Sequence, residues 1–254
     1  GTKRAMEPEE LKEETLLSHL VELRSRLLKA GSCVLLLFLC MAPFSDFIFS
    51  SVALPLMRQL PEGSSMIATQ VASPFLTPFK TTMFAALFLS MPVVLYQIWS
   101  FAAPGLYYKE KRFAVPLLVS SIALFYLGTV FAYVVVFPIV FAFFTSAAPT
   151  GVAVMTDITS YLDFVLVLFF AFGVAFEVPI ATVILVWSGL TTVETLAKNR
   201  AYVFLGAFVI GMLVTPPDII SQTLLAVPVY LLYECGILLA RILSKPTEPS
   251  TENE

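Results

Sequence analysis

Residues 161–187 read YLDFVLVLFFAFGVAFEVPIATVILVW, a run of 27 positions in which Asp163 and Glu177 are the only charged side chains. A helix needs about 20 predominantly apolar residues to cross the hydrocarbon core of a bilayer. A helix that is apolar all round has no face to turn to water, so this stretch does not suit the surface of a soluble domain. It predicts a membrane-spanning helix, broken near Pro179, whose ring removes a ladder donor and clashes with the preceding turn.

Five further stretches read the same way on either side of it. Residues 27–49, 79–103, 113–144, 201–214 and 219–243 are predicted spans, so the predicted class is an all-α integral membrane protein with six transmembrane helices. Composition agrees. Of 254 residues, 58% are apolar and 13% charged, and mean hydropathy is +0.89, whereas soluble domains carry about 25% charged residues. The net charge of −3 and the lack of a basic run exclude a nucleic-acid footprint. The third stretch is longer than a perpendicular span requires, which predicts a tilt or a bend near Pro138. The fifth holds only 14 residues, about 21 Å of helix at 1.5 Å per residue. Two readings of it stand together: local thinning of the bilayer, or extension of the helix into Lys198-Asn199-Arg200. Thr215-Pro216-Pro217-Asp218 then forces a turn.

Basic residues set the orientation, because cytoplasmic loops carry the excess of Lys and Arg. Lys3, Arg4, Lys12, Arg24, Arg26 and Lys29 precede or open the first span; Lys109, Lys111 and Arg112 fill the second loop. Lys198 and Arg200 lie between spans four and five, and Arg241 and Lys245 end the sixth. The other side has only Arg58 and Lys80. Both termini are therefore predicted to be cytoplasmic, as an even span count requires. The outer connection, residues 45–78, carries Pro55, Pro61, Gly63, Pro74 and Pro78 amid short apolar pieces, which predicts a structured outer cap between the first two spans.

Residues 1–26 read as a cytoplasmic leader with an amphipathic helix, on which Leu16, Leu20, Leu23 and Leu27 form one apolar stripe, fit to lie along the interface or against the bundle. The charged leader does not read as a cleavable signal peptide. The polar segment 244–254 is predicted to be disordered.

Catalysis and metal binding are not expected. Cys33, Cys40 and Cys235 stand inside apolar runs without ligand spacing, His19 is the single histidine, and neither a zinc-protease motif nor a nucleophile elbow occurs. No cofactor is predicted. A small-solute transporter would suit a charged residue mid-span and proline-broken helices, but no internal repeat is visible and mid-membrane polar groups are scarce.

Five motifs together resemble the TatC family of twin-arginine protein translocases. They are Ser18-His19-Leu20-Val21-Glu22-Leu23-Arg24-Ser25-Arg26-Leu27, the run Val71-Ala72-Ser73-Pro74-Phe75, and Phe101-Ala102-Ala103-Pro104-Gly105-Leu106-Tyr107 followed by Glu110 and Arg112. Phe176-Glu177-Val178-Pro179 and Thr215-Pro216-Pro217-Asp218 with Gln222 complete the set. They fall in the family's order from about residue 17 to residue 241. The resemblance implies a subunit of the cytoplasmic membrane that binds twin-arginine signal peptides. With TatB and TatA it would export folded proteins on the proton-motive force, as a homo-oligomer within a larger complex.

Candidate site residues follow from both sources. Arginine guanidinium groups match carboxylates in a two-pronged geometry, and Glu22 and Glu110 stand at span boundaries on the predicted inner side. The resemblance carries signal-peptide binding onto Glu22, Leu23, Arg24, Phe101 and Glu110. An ordinary interfacial salt bridge, such as Glu110 with Arg112 or Lys111, is the alternative for such a carboxylate. Glu177 costs at least about 2.5–3.5 kcal/mol as a mid-span charge, so it predicts either an intramembrane polar pocket or a hydrogen bond across helices. Glu234 in the last span reads at least as well as a structural pair. The resemblance places partner docking at Met212, Leu213, Thr215 and Gln222; plain lipid contact accounts equally for Met212 and Leu213.

Overall fold

The computed structural model describes residues 8–58, 66–104, 111–147, 149–151, 155–215 and 218–244. Helix α1 covers Pro8–Met41 and α2 Ser45–Met57, with one 3-10 turn over Ala42–Phe44 between them. Then come α3 (Ser73–Ala102), α4 (Lys111–Phe131), a π turn over Ala132–Val136 and α5 (Phe137–Ser146). The chain continues with α6 (Ile158–Ala175), α7 (Val178–Trp187), α8 (Val193–Lys198), α9 (Arg200–Val214) and α10 (Ile219–Leu243). A two-residue parallel pair joins β1 (Met66–Ile67) to β2 (Thr156–Asp157). With kinked helices taken as continuous, five helices among the described residues are long and apolar enough to cross a membrane, and α9 is a sixth, shorter apolar helix.

Three features of these helices bear on the predicted spans. The leader helix and the first span are one element, since nothing between Pro8 and Met41 breaks the ladder; the break comes at Pro43, where the 3-10 turn sits. The leader's stripe is exposed, with Leu16, Leu20 and Leu27 each about three-fifths accessible. The third span bends through the π turn: the Phe137 N–H reaches the Ala132 carbonyl, one residue further than in an α-helix. Pro138, which follows, has no N–H to give the Val134 carbonyl, and the widened turn takes up the mismatch. The fifth span extends backwards by one residue only. It starts at Arg200, Asn199 separates it from α8, and its 15 residues make about 22 Å of helix.

Side-chain caps start α6, α8 and α10. Asp157, Thr192 and Asp218 accept the backbone N–H groups of Ser160, Thr195 and Ser221 at the heads of α6, α8 and α10, satisfying donors that have no partner within the helix.

The chain forms two compact units, one of Gly1–Ser50 with Pro78–Leu118 and one of Ser51–Thr77 with Val119–Glu254. The core of the second unit is built on Phe172, Val136, Val140, Ala132 and Leu168, with the Phe131 ring 5.8 Å from that of Phe172 and 5.5 Å from that of Phe176. Close approach there depends on glycine: a Cβ on Gly128 would overlap the Phe172 carbonyl and the Phe176 ring. Part of the cap belongs to this unit. The Tyr161 hydroxyl donates to the Leu56 carbonyl at 2.9 Å, the Thr69 N–H and hydroxyl donate to Asp157, and Thr159 donates to Ser73.

Candidate functional site

In the first unit the site grows from one turn of α1. Glu22 and Arg26 are four residues apart and therefore share a helix face. The Arg26 Nε and Nη2 both lie 3.1 Å from Glu22 Oε1, while its Nη1 donates to Oε1 of Gln97 on α3 at 3.0 Å. The Arg26 side chain is 11% exposed and that of Glu22 37%. Phe101 stands four residues beyond Gln97, one turn along the same face of α3, and is half-buried. The structure thus brings Glu22 and the Phe101 face of α3 together through Arg26 and Gln97. It does not gather Arg24 with them. Two residues are about 200° around a helix, so Arg24 leaves the opposite side of α1, exposed beside Val21, Ser25, Leu28, Lys29 and Ser32. Leu23 is exposed as well. Glu110 lies outside the described residues.

The second constellation is the break at Glu177. Pro179 deprives the Ala175 carbonyl of its ladder donor, so α6 stops and α7 restarts two residues later. Glu177 stands at the head of α7, where the helix dipole favours negative charge. Its side chain is within a residue only 7% exposed, and Ser121 on α4 donates its hydroxyl to Oε2 at 2.5 Å. The hydrogen bond across helices is therefore present. Phe176, Pro179 and Ile180 are buried alongside.

At the far end of the second unit, Arg200 Nε lies 2.6 Å from Glu234 Oε1, so Glu234 is a structural pair. Tyr233 donates to the Leu196 carbonyl at 2.6 Å, tying α10 to α8. Helices α7 and α10 close on Gly236, where a Cβ would strike Thr182 and Pro179. Of the four residues singled out for docking, Met212 and Leu213 are exposed and Gln222 is half-buried. Thr215 is only 5% exposed; its hydroxyl donates to the Gly211 carbonyl, closing the C-terminus of α9. Arg26, as a partner of Glu22, was within reach of helical spacing. Gln97, Ser121 and the Arg200–Glu234 match were not, because each contact spans 34 or more residues of chain. Among the described residues no group of His, Cys, Asp and Glu could hold a metal ion.

Long apolar helices, prolines at their breaks and few carboxylates within them among the described residues define a polytopic α-helical membrane protein. The comparisons give the family. Residues 18–228 match the family model described as "Sec-independent protein translocase protein (TatC)". The chain is 56% identical over 246 residues to the Sec-independent protein translocase protein TatC of Azotobacter chroococcum, covering 97% of this chain and 96% of that protein. It is 57% identical over 228 residues to that of Escherichia coli K12, covering 90% and 88%. A crystal structure of a twin-arginine translocase receptor, TatC, superposes with a TM-score of 0.77 at 37% identity, covering 88% of this chain and 98% of that one. The chain belongs to the TatC family. It is a multi-pass protein of the bacterial inner membrane and a membrane subunit of the twin-arginine translocase, a transport component rather than an enzyme.

Proposed function

We propose that this subunit receives twin-arginine signal peptides at the rim formed by Glu22 on α1 and the Phe101 end of α3. The observation that carries the reading is the Glu22 carboxylate, which is part-exposed and engaged by Arg26 through one oxygen only. A guanidinium is itself a carboxylate ligand, so Oε2 suits an arginine of the arriving signal, Glu110 supplies a second carboxylate, and Phe101 offers an aromatic face for a cation or an apolar side chain. Leu23 and Arg24 are both exposed on α1, and Arg24, on the side of the helix away from Glu22, meets another part of the signal peptide.

In this reading both termini are cytoplasmic, which the distribution of Lys and Arg supports. Residues 27–243 are the membrane domain, with the leader before it and the tail after it on the inner side. TatB and TatA are the partners, docking their single spans on the exposed Met212 and Leu213 with Gln222 and Thr215 nearby. Several copies of the chain work within a larger complex, and the proton-motive force supplies the energy. Glu177 serves a later step than capture, as a polar point that a substrate or partner span meets inside the bilayer.

The test is site-specific photocrosslinking from positions 22 and 110 to a labelled signal peptide in membrane vesicles. Crosslinks that vanish when the peptide's two arginines become Lys-Lys or Gln-Gln are expected. Equal crosslinking of all three peptides would sink the recognition mechanism.

A further inference from the structure

Arg26 makes the recognition rim electrically unusual. A site built to attract two cations holds a permanent cation of its own beside its carboxylate, nearly buried and tied at both ends of its fork. All three guanidinium nitrogens are engaged: Nε and Nη2 on Glu22 Oε1, Nη1 on Gln97 Oε1. Oε2 of Glu22 takes no hydrogen bond from a described residue.

We infer that Arg26 and Gln97 are positioning and specificity residues for the arginine pair, a clamp that presents Glu22 Oε2 in one direction and offsets the carboxylate's net pull on cations. The inference rests on Glu22 receiving a signal arginine. Two physical consequences follow. A glutamate side chain loses considerable rotamer freedom when it is ordered; Arg26 removes that freedom before the ligand arrives, so less is lost on binding. In addition, Arg26 nearly cancels the monopole of Glu22, so an arriving group gains little from charge alone and must make a directed hydrogen bond to Oε2. A planar fork of five donors with weak hydration does this better than a strongly hydrated ammonium. The clamp thereby converts a generic cation site into one that prefers guanidinium. Gln97 is suited to the far end because it is a neutral acceptor: a carboxylate there would compete with Glu22 for Arg26.

The experiment uses the full-length chain in membrane vesicles with a fluorescent synthetic twin-arginine signal peptide and its Lys-Lys variant. Gln97→Leu is expected to weaken binding of the Arg-Arg peptide about three- to tenfold, the scale of one hydrogen bond, and to have no further effect in the Glu22→Gln background. Gln97→Glu, close in size and therefore safer for folding, should also weaken binding by drawing Arg26 off Glu22. Arg26→Gln should shrink the preference for the Arg-Arg over the Lys-Lys peptide by a similar factor. A merely structural Gln97 would give the same loss in both backgrounds and leave the peptide preference unmoved, and that result would overturn the clamp alone. If Glu22→Gln itself left Arg-Arg binding unchanged, the reading of Glu22 as the receiving residue would fall with it.

Discussion

Ser121 donates a 2.5 Å hydrogen bond to Oε2 of Glu177, joining the middle of α4 to the break between α6 and α7 across 56 residues of chain. A polar group in a lipid-embedded core needs an internal partner, because no water is at hand to replace one. Ser121 is wholly buried, so the pair is part of the second unit's interior as well as a candidate for function.

Ser121→Ala removes that donor and is expected to cost about 1–3 kcal/mol, the penalty of a buried acceptor losing a partner. Thermal unfolding in detergent would show the drop, and Glu177→Leu should recover stability in the Ser121→Ala background while impairing export. Unchanged export by Glu177→Leu alone would return the residue to a purely structural role.

Gly236 faces backbone as well as side chain. Gly236→Ala pushes a methyl against Pro179 and Thr182 and should destabilise by about 1–3 kcal/mol through overpacking. Thr182→Ala should relieve only part of this, because Pro179 Cα remains in place. Full rescue by Thr182→Ala would contradict the backbone contact.

Asp157 gives the cap a pH dependence. The Ser160 hydroxyl and N–H, together with Thr69, hold its carboxyl below the ordinary range. A carboxyl depressed in the folded state stabilises that state above its unfolded value of about 3.9, and this contribution is lost as pH falls through the lower folded value. Melting temperature should therefore fall more steeply between pH 5 and pH 3, or about that window, for the native chain than for Asp157→Asn. Parallel curves for the two would refute it.

Arg200 and Glu234 are 45% and 30% exposed, so solvent screens their attraction. Each single replacement by Ala should cost under about 1 kcal/mol, and the double-mutant cycle should show a coupling of the same small size. The exchange Arg200→Glu with Glu234→Arg should restore most of it. A coupling of several kcal/mol, about 3 or more as for buried pairs, would mean the surroundings of the Arg200–Glu234 pair are drier than the structure indicates.

Orientation is tested by labelling single cysteines with an impermeant reagent. Residues 105–112 should react from the inner side and 60–70 from the outer side. The reverse pattern would invert the reading of the basic loops.

The helices, their approximate ends and the family were legible in the chain before any coordinates, because hydropathy, proline position and cap residues act on their immediate neighbours. The run 219–243 has the same bounds in both readings, and the break at Pro179 and the bend before Pro138 lie where a missing N–H puts them. Continuity of α1 through the leader was less legible, since an amphipathic stretch and an apolar stretch look like two elements when only their composition changes. Which residues meet is another matter. Helical spacing offers Arg26 to Glu22, but nothing in the linear order selects Gln97 for Arg26, Ser121 for Glu177 or Arg200 for Glu234. Those matches depend on which face each helix turns inward, a choice set within the second unit by packing at Gly128, Gly236 and the phenylalanine core. Hydropathy along the chain thus determined that these segments leave water, and tertiary packing decided which of their few polar groups face one another, because desolvation is local to a segment while partnership is a property of the assembled bundle.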